Sequence, residues 1–82
     1  MKYRRRPTEI EAVQVLSIET MERYCRTGWN WLPAEKGFRV YNQLHDSWIK
    51  ARVGDYLNIT VASDVYPIDK DYFLKHYEAA PE

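Results

Sequence analysis

Cysteine is almost missing from this chain. Cys25 is the only one, so no disulfide within a single molecule can brace the fold, a composition suited to a reducing compartment. Glycine is scarce too. Gly28, Gly37 and Gly54 lie far apart, and no phosphate-cradling loop or nucleotide fingerprint can be built from them. Charge of either sign is not in excess: Lys plus Arg and Asp plus Glu both number 12, which argues against a general nucleic-acid binder. No apolar run approaches the ~20 residues that span a bilayer, so no membrane partner is expected. Met1 to Arg6 lacks the apolar stretch that follows the basic region of a secretory signal, so the expected location is a cytoplasm. Histidine occurs only as His45 and His76, and no Cys-x-x-Cys or His-x-x-His spacing joins them to Cys25. Neither a metal nor a cofactor is therefore expected.

What is present is aromatic. Twelve of the 82 residues are Trp, Tyr or Phe, and each brings a large buried area per residue ordered. This length reads as one domain over residues 1–82, with an aromatic-rich core and no second layer to spare. So small a core is also compatible with completion by a second subunit, in a homodimer. The charges are unevenly spread. Lys2, Arg4, Arg5 and Arg6 open the chain without an acid among them, while Asp64, Asp69, Asp71, Glu78 and Glu82 dominate its last part.

The pattern of elements follows from periodicity and punctuation. Lys2 to Pro7 reads as a strand or an arm, with Pro7 limiting any pairing to an edge. Thr8 to Leu16 is β-branched and mixed in phase: Ile10, Ala12 and Leu16 share one face, Val13 and Val15 the other, so both faces are expected to be partly covered. Ser17 is placed to cap a helix over about residues 18–27, striped by Ile18, Met21, Tyr24 and Cys25 and stopped by Gly28 in a left-handed conformation. Trp29 to Gly37 is too rich in turn formers for a regular element. Phe38–Gln43 and Trp48–Arg52 alternate about a hairpin turn, Val53-Gly54-Asp55 turns again, and Tyr56–Val61 forms a further strand. Gly54 is expected at positive φ with Asp55 bonding the turn amides. Pro67 belongs at an edge, and Asp69 caps a last helix over about 70–78 that carries Phe73, His76 and Tyr77 on one face. The expected fold is α+β: a small, antiparallel, strongly curled sheet of four or five strands, one face covered by two short helices.

No catalytic centre can be assembled from these residues, and the chain is expected not to be an enzyme. His45-Asp46-Ser47 contains three triad residue types, but a triad converges from separate elements, and neighbours on one turn cannot all point inward. Two surface sites remain. Trp29, Trp31, Tyr41 and Trp48, with Arg39 and Arg52 nearby, hold the residue types enriched at protein-binding hot spots, although the same rings are also suited to a small core. Lys2, Arg4, Arg5 and Arg6 form an alternative site for nucleic acid or an acidic protein surface, with a steep salt dependence if phosphates are contacted.

The opening Met1-Lys2-Tyr3-Arg4-Arg5-Arg6-Pro7 and Ile10-Glu11-Ala12-Val13-Gln14 resemble a family of small bacteriophage and prophage proteins. So do the centre, Val40 to Trp48, the run Val53-Gly54-Asp55-Tyr56-Leu57, and the closing Tyr66-Pro67-Ile68 with Phe73, Tyr77 and Glu78. Val53 stands where many relatives have proline, and Ser63-Asp64 where they tend to have Gly-Glu. The resemblance brings no catalytic residues. It implies a phage product acting in a bacterial host cytoplasm. The expectation is an accessory protein that binds a host protein, and so inhibits a defence system in the manner of an anti-CRISPR. A nucleic-acid or nucleotide module and a minor virion or assembly part are the alternatives.

Overall fold

A computed structural model describes the backbone at residues 2–5 and 8–79 and the side chains at residues 10–78. Among the described residues eight strands and two α-helices run in the order β1 (Lys2–Arg5), β2 (Thr8–Gln14), α1 (Ile18–Tyr24), β3 (Trp29–Leu32), β4 (Gly37–Asn42), β5 (Ser47–Arg52), β6 (Tyr56–Asn58), β7 (Tyr66–Ile68), α2 (Lys70–His76) and β8 (Glu78–Ala79), with a 3-10 turn over Pro33–Glu35 between β3 and β4. The fold is α+β, as expected, but the sheet is not single and not strongly curled. There are two antiparallel sheets, ordered β7-β6-β2-β1-β8 and β3-β4-β5, and neither closes on itself.

The reason lies in β2. Its first half, Thr8–Glu11, pairs with β1, and its second half, Ala12–Gln14, pairs with β6. Its mixed phase then feeds two cores. Ile10 and Ala12 join Tyr56, Ile68 and Phe73 of α2, whereas Val13 and Val15 join Met21 and Cys25, Phe38 and Val40 of β4, Leu57 and Val65. Apolar residues on both faces of one strand demand a layer on each side. The two helices accordingly cover different faces, not the same one, and β3-β4-β5 supplies the rest of the cover beside α1.

Both helices are shorter than their apolar stripes imply. In α1 the last helical bond is Cys25 N–H to the Met21 carbonyl, 2.9 Å, and Cys25 itself is extended (φ −92, ψ 107). Its side chain is buried all the same, so the stripe continues into the core after the helix has ended. Gly28 is therefore not the stop, and its φ is not positive. Ser17 occupies the N-cap position without bonding an amide; the Glu19 carboxyl is held below its usual value first by its own backbone amide and then by the Ser17 hydroxyl. Asp69 does cap α2, accepting from the amides of Asp71 (3.0 Å) and Tyr72 (3.2 Å). Phe73 is then clamped between Tyr56 and Tyr77, with near-parallel rings at 3.8 and 4.8 Å.

Turn chemistry positions the rest. Gly54 takes φ +105, which side-chain-bearing residues rarely adopt. Asp55 accepts from the amides of Arg52 and Lys70, both at 2.9 Å, joining the end of β5 to the start of α2. Buried Asn42 does the same for the hairpin: its amide donates to Asp64 and to the Val65 carbonyl, and its oxygen accepts from the His45 amide. Pro67 lies on the edge strand β7. The stretch Trp29–Leu32, expected to be irregular, is a strand because β4 offers it a full ladder, from Trp29 opposite Val40 to Leu32 opposite Gly37. Gly37 is required there, since a Cβ would collide with the Ala51 carbonyl. Lys2–Arg5 is an inner strand and not an edge one, because Glu78–Ala79 pairs on its far side. The strand expected over Tyr56–Val61 is shorter, ending at Asn58, with residues 59–61 outside it.

Candidate functional site

The alternation of β4 decides which residues meet. Phe38, Val40 and Asn42 point into the core, so Arg39 and Tyr41 point out. The hairpin sets Tyr41 opposite Trp48 and Arg39 opposite Lys50, while β3 sets Asn30 on the other side of Arg39. The outer face of β3-β4-β5 is therefore polar and cationic around one large ring.

Trp48 is 47% exposed, the only tryptophan in the exposed class. Three neighbours hold it. The Arg39 guanidinium lies 4.5 Å from the ring centroid, in cation–π contact. Tyr41 packs against it at 5.4 Å with the planes tilted by 58°. Gly28 lies beneath its far edge, where a Cβ would come within 3.1 Å of Cη2. Each neighbour is itself fixed. Arg39 Nε donates to Asn30 Oδ1 at 2.7 Å, and the Tyr41 hydroxyl donates to Asp46. The Gly28 carbonyl accepts from the Tyr41 amide at 2.8 Å. Lys50 pairs with Glu35 at 3.3 Å. An exposed aromatic that is already immobilised loses little entropy when a partner covers it.

The Tyr41 phenol is raised above its ordinary value, first because ionisation would forfeit the bond to Asp46, then by partial burial, then by the Asp46 charge. The sign follows. A raised folded value means a contribution to stability that is fully present below about pH 10 and is lost as pH rises through the folded value. Asp46→Asn is expected to bring the Tyr41 titration down towards that of a free phenol, as read from its ring resonances by NMR. An unchanged titration would remove Asp46 as the cause.

The six aromatic and arginine residues singled out from the sequence are thus separated. Tyr41, Trp48 and Arg39 form one cluster. Trp29 and Trp31 lie half-buried against the core, with Trp31 stacked on Phe38 at 6.1 Å. Arg52 stands at the far end of β5, beside a cleft of about 360 Å³ that also takes in Glu35, Lys50, Asp55 and Asp69. The Asp55 oxygens in that cleft are occupied by backbone amides, and Asp69 Oδ2 serves the α2 cap. These two aspartates are structural. His45, Asp46 and Ser47 occupy the hairpin with divergent partners: His45 Nε2 stands 4.0 Å from Asp64, and Asp46 accepts from Tyr41. No three of His, Cys, Asp or Glu gather as metal ligands among the described residues. Lys2, Arg4 and Arg5 belong to β1, their side chains and the whole of Arg6 lying outside the described residues.

Sequence reasoning missed Gly28, Asn30, Asp46 and Lys50. Asp46 and Lys50 were within reach, because a four-residue hairpin turn (Gln43–Asp46) dictates which β4 and β5 residues face each other. Gly28 and Asn30 depend on β3, which local pattern conceals. No protein-family model, curated protein or solved structure matches this chain. Its functional reading rests on the geometry of this face.

Proposed function

We propose that the chain is a non-enzymatic binding protein that docks on another protein through the outer face of β3-β4-β5. The observation that carries the reading is the exposed yet immobilised Trp48, flanked by Arg39 and Tyr41. Trp, Arg and Tyr dominate measured hot spots because they bury much area for few rotatable bonds. The motif resemblance to bacteriophage proteins supports a bacterial host protein as the partner, met in the host cytoplasm, with inhibition of a defence system as the consequence.

The test is Trp48→Ala. It removes no core contact and leaves the β4–β5 ladder intact, so the melting temperature is expected to stay within a few degrees of wild type. Capture of the partner from nuclease-treated bacterial lysate is expected to fall at least tenfold, the size of a hot-spot loss. Undiminished capture by the folded variant would displace the site from this face. Trp31→Ala is the wrong probe, since its ring supports Phe38 and its loss destabilises the protein itself.

The rival nucleic-acid reading requires partners that vanish with nuclease or moderate salt. On that reading Lys2, Arg4 and Arg5 act from a strand paired between β2 and β8.

A further inference from the structure

One edge of the three-stranded sheet is open. β5 pairs with β4 alone; β7 contacts both β4 and β5 but forms no ladder with either, and a cleft runs along Ile49–Arg52 with Pro67 and Asp69 among its lining residues. The ladder phase shows which backbone groups the edge presents. Val53 N–H bonds the Lys36 carbonyl, and alternation makes Phe38–Ala51, Val40–Ile49 and Asn42–Ser47 the bonded pairs towards β4. Tyr41, opposite Trp48, accordingly sends its N–H the other way, to Gly28. The N–H and C=O groups of Trp48, Lys50 and Arg52 therefore point outward. Those of Arg52 are taken by Asp55. Trp48 and Lys50 are left with two donors and two acceptors on the edge.

We propose that this edge pairs with the same edge of a second copy, antiparallel about a two-fold axis at Ile49, to give a continuous six-stranded sheet. The register follows from the chemistry of the edge. Setting Trp48 opposite the second copy's Lys50, and Lys50 opposite its Trp48, satisfies all four free groups of each copy. Sliding by two residues one way opposes Lys50 to Lys50 and offers Trp48 only the occupied groups of Arg52. Sliding the other way opposes Lys50 to Asp46, which has turned out of the strand at φ 49. Each slipped register keeps half of the bonds.

The side chains agree with the full register. On the outer face Trp48 meets a lysine, and no two like charges within the strand are opposed. On the inner face the two half-buried Ile49 side chains cover each other. A lysine on an edge strand ordinarily discourages pairing. Here Lys50 is already neutralised by Glu35, and the full register never sets it against its own copy. The pairing brings two Trp48–Arg39–Tyr41 clusters onto one surface, and it does not rest on any other partner binding there.

Sedimentation of the purified chain from ~1 µM to ~1 mM, the range in which modest interfaces associate, tests this without a partner. The mass is expected to rise with concentration from 9.8 kDa towards twice that value. Lys50→Pro removes the outward N–H together with the exposed pair to Glu35, leaves the bonds towards β4 in place, and is expected to stay monomeric throughout with unchanged circular dichroism. Ile49→Cys is expected to form an intermolecular disulfide on mild oxidation, and Lys50→Cys, which lies diagonal to its copy, far more slowly. The native Cys25 is buried and does not compete. Should Lys50→Pro misfold, the cysteine comparison alone decides. A wild type that stays monomeric, a folded Lys50→Pro that still dimerises, or equal cross-linking of the two cysteine variants overturns the proposal.

Discussion

Phe73→Ala is expected to cost about 3–5 kcal/mol, the range for emptying a buried phenylalanine site. The ring is 1% exposed and is the one large apolar group that α2 places between Tyr56 and Tyr77. Its removal opens a cavity and ends two ring contacts together. A chain of 82 residues has roughly 4–12 kcal/mol of total stability, at about 0.05–0.15 kcal/mol per residue, so the variant stands near the folding threshold. Urea denaturation of Phe73→Ala beside Phe73→Leu measures it. A midpoint shift in Phe73→Ala worth less than ~1 kcal/mol would mean that α2 does not depend on this contact.

Asp55→Ala is the second large effect, expected at about 3 kcal/mol. Two backbone amides, those of Arg52 and Lys70, lose a charged acceptor at 2.9 Å, and each such bond is worth about 1.5–3 kcal/mol when removed. Asp55 is 8% exposed, so water cannot fully replace it. Asp55→Asn keeps one acceptor and faces an N–H with its own amide, and is expected to recover only part of the loss. For a domain of this size the melting temperature of Asp55→Ala should fall on the order of 15 °C. A fall equal to that of an exposed control such as Asp71→Ala would show that the two bonds contribute nothing in solution.

These two sites also show what local sequence can reveal. Gly54-Asp55 and Asp69 announce themselves because one residue and the amides beside it carry the whole device. The Phe73/Tyr77 face follows from helical spacing. The β4–β5 hairpin follows from alternation about a turn, and with it the meeting of Tyr41, Trp48 and Arg39. Concealed elements are those whose cause lies elsewhere in the chain. Trp29–Leu32 becomes a strand only because β4 lies beside it, and Pro33 directly after it looks locally like a breaker. Glu78–Ala79 is too short to carry a pattern and is defined by β1, from the other end of the chain. The stripe of α1 overstated its length because burial of Cys25 does not need a helix. The same limit applies to the site. Which rings face out is a question of register, and the inward turn of Trp29 and Trp31 is settled by Val40 and Phe38 across the ladder.

Trp48 thus stands apart from the other two tryptophans in what it is free to do. Hydroxyl-radical footprinting of the chain, alone and in complex with a captured partner at equal concentration, tests that difference directly. The account predicts that Trp48 and Tyr41 are oxidised readily in the free protein and are shielded in the complex, while Leu74 and Tyr72 on the exposed side of α2 keep their rates. Equal oxidation of Trp48 in the free and bound states would contradict it.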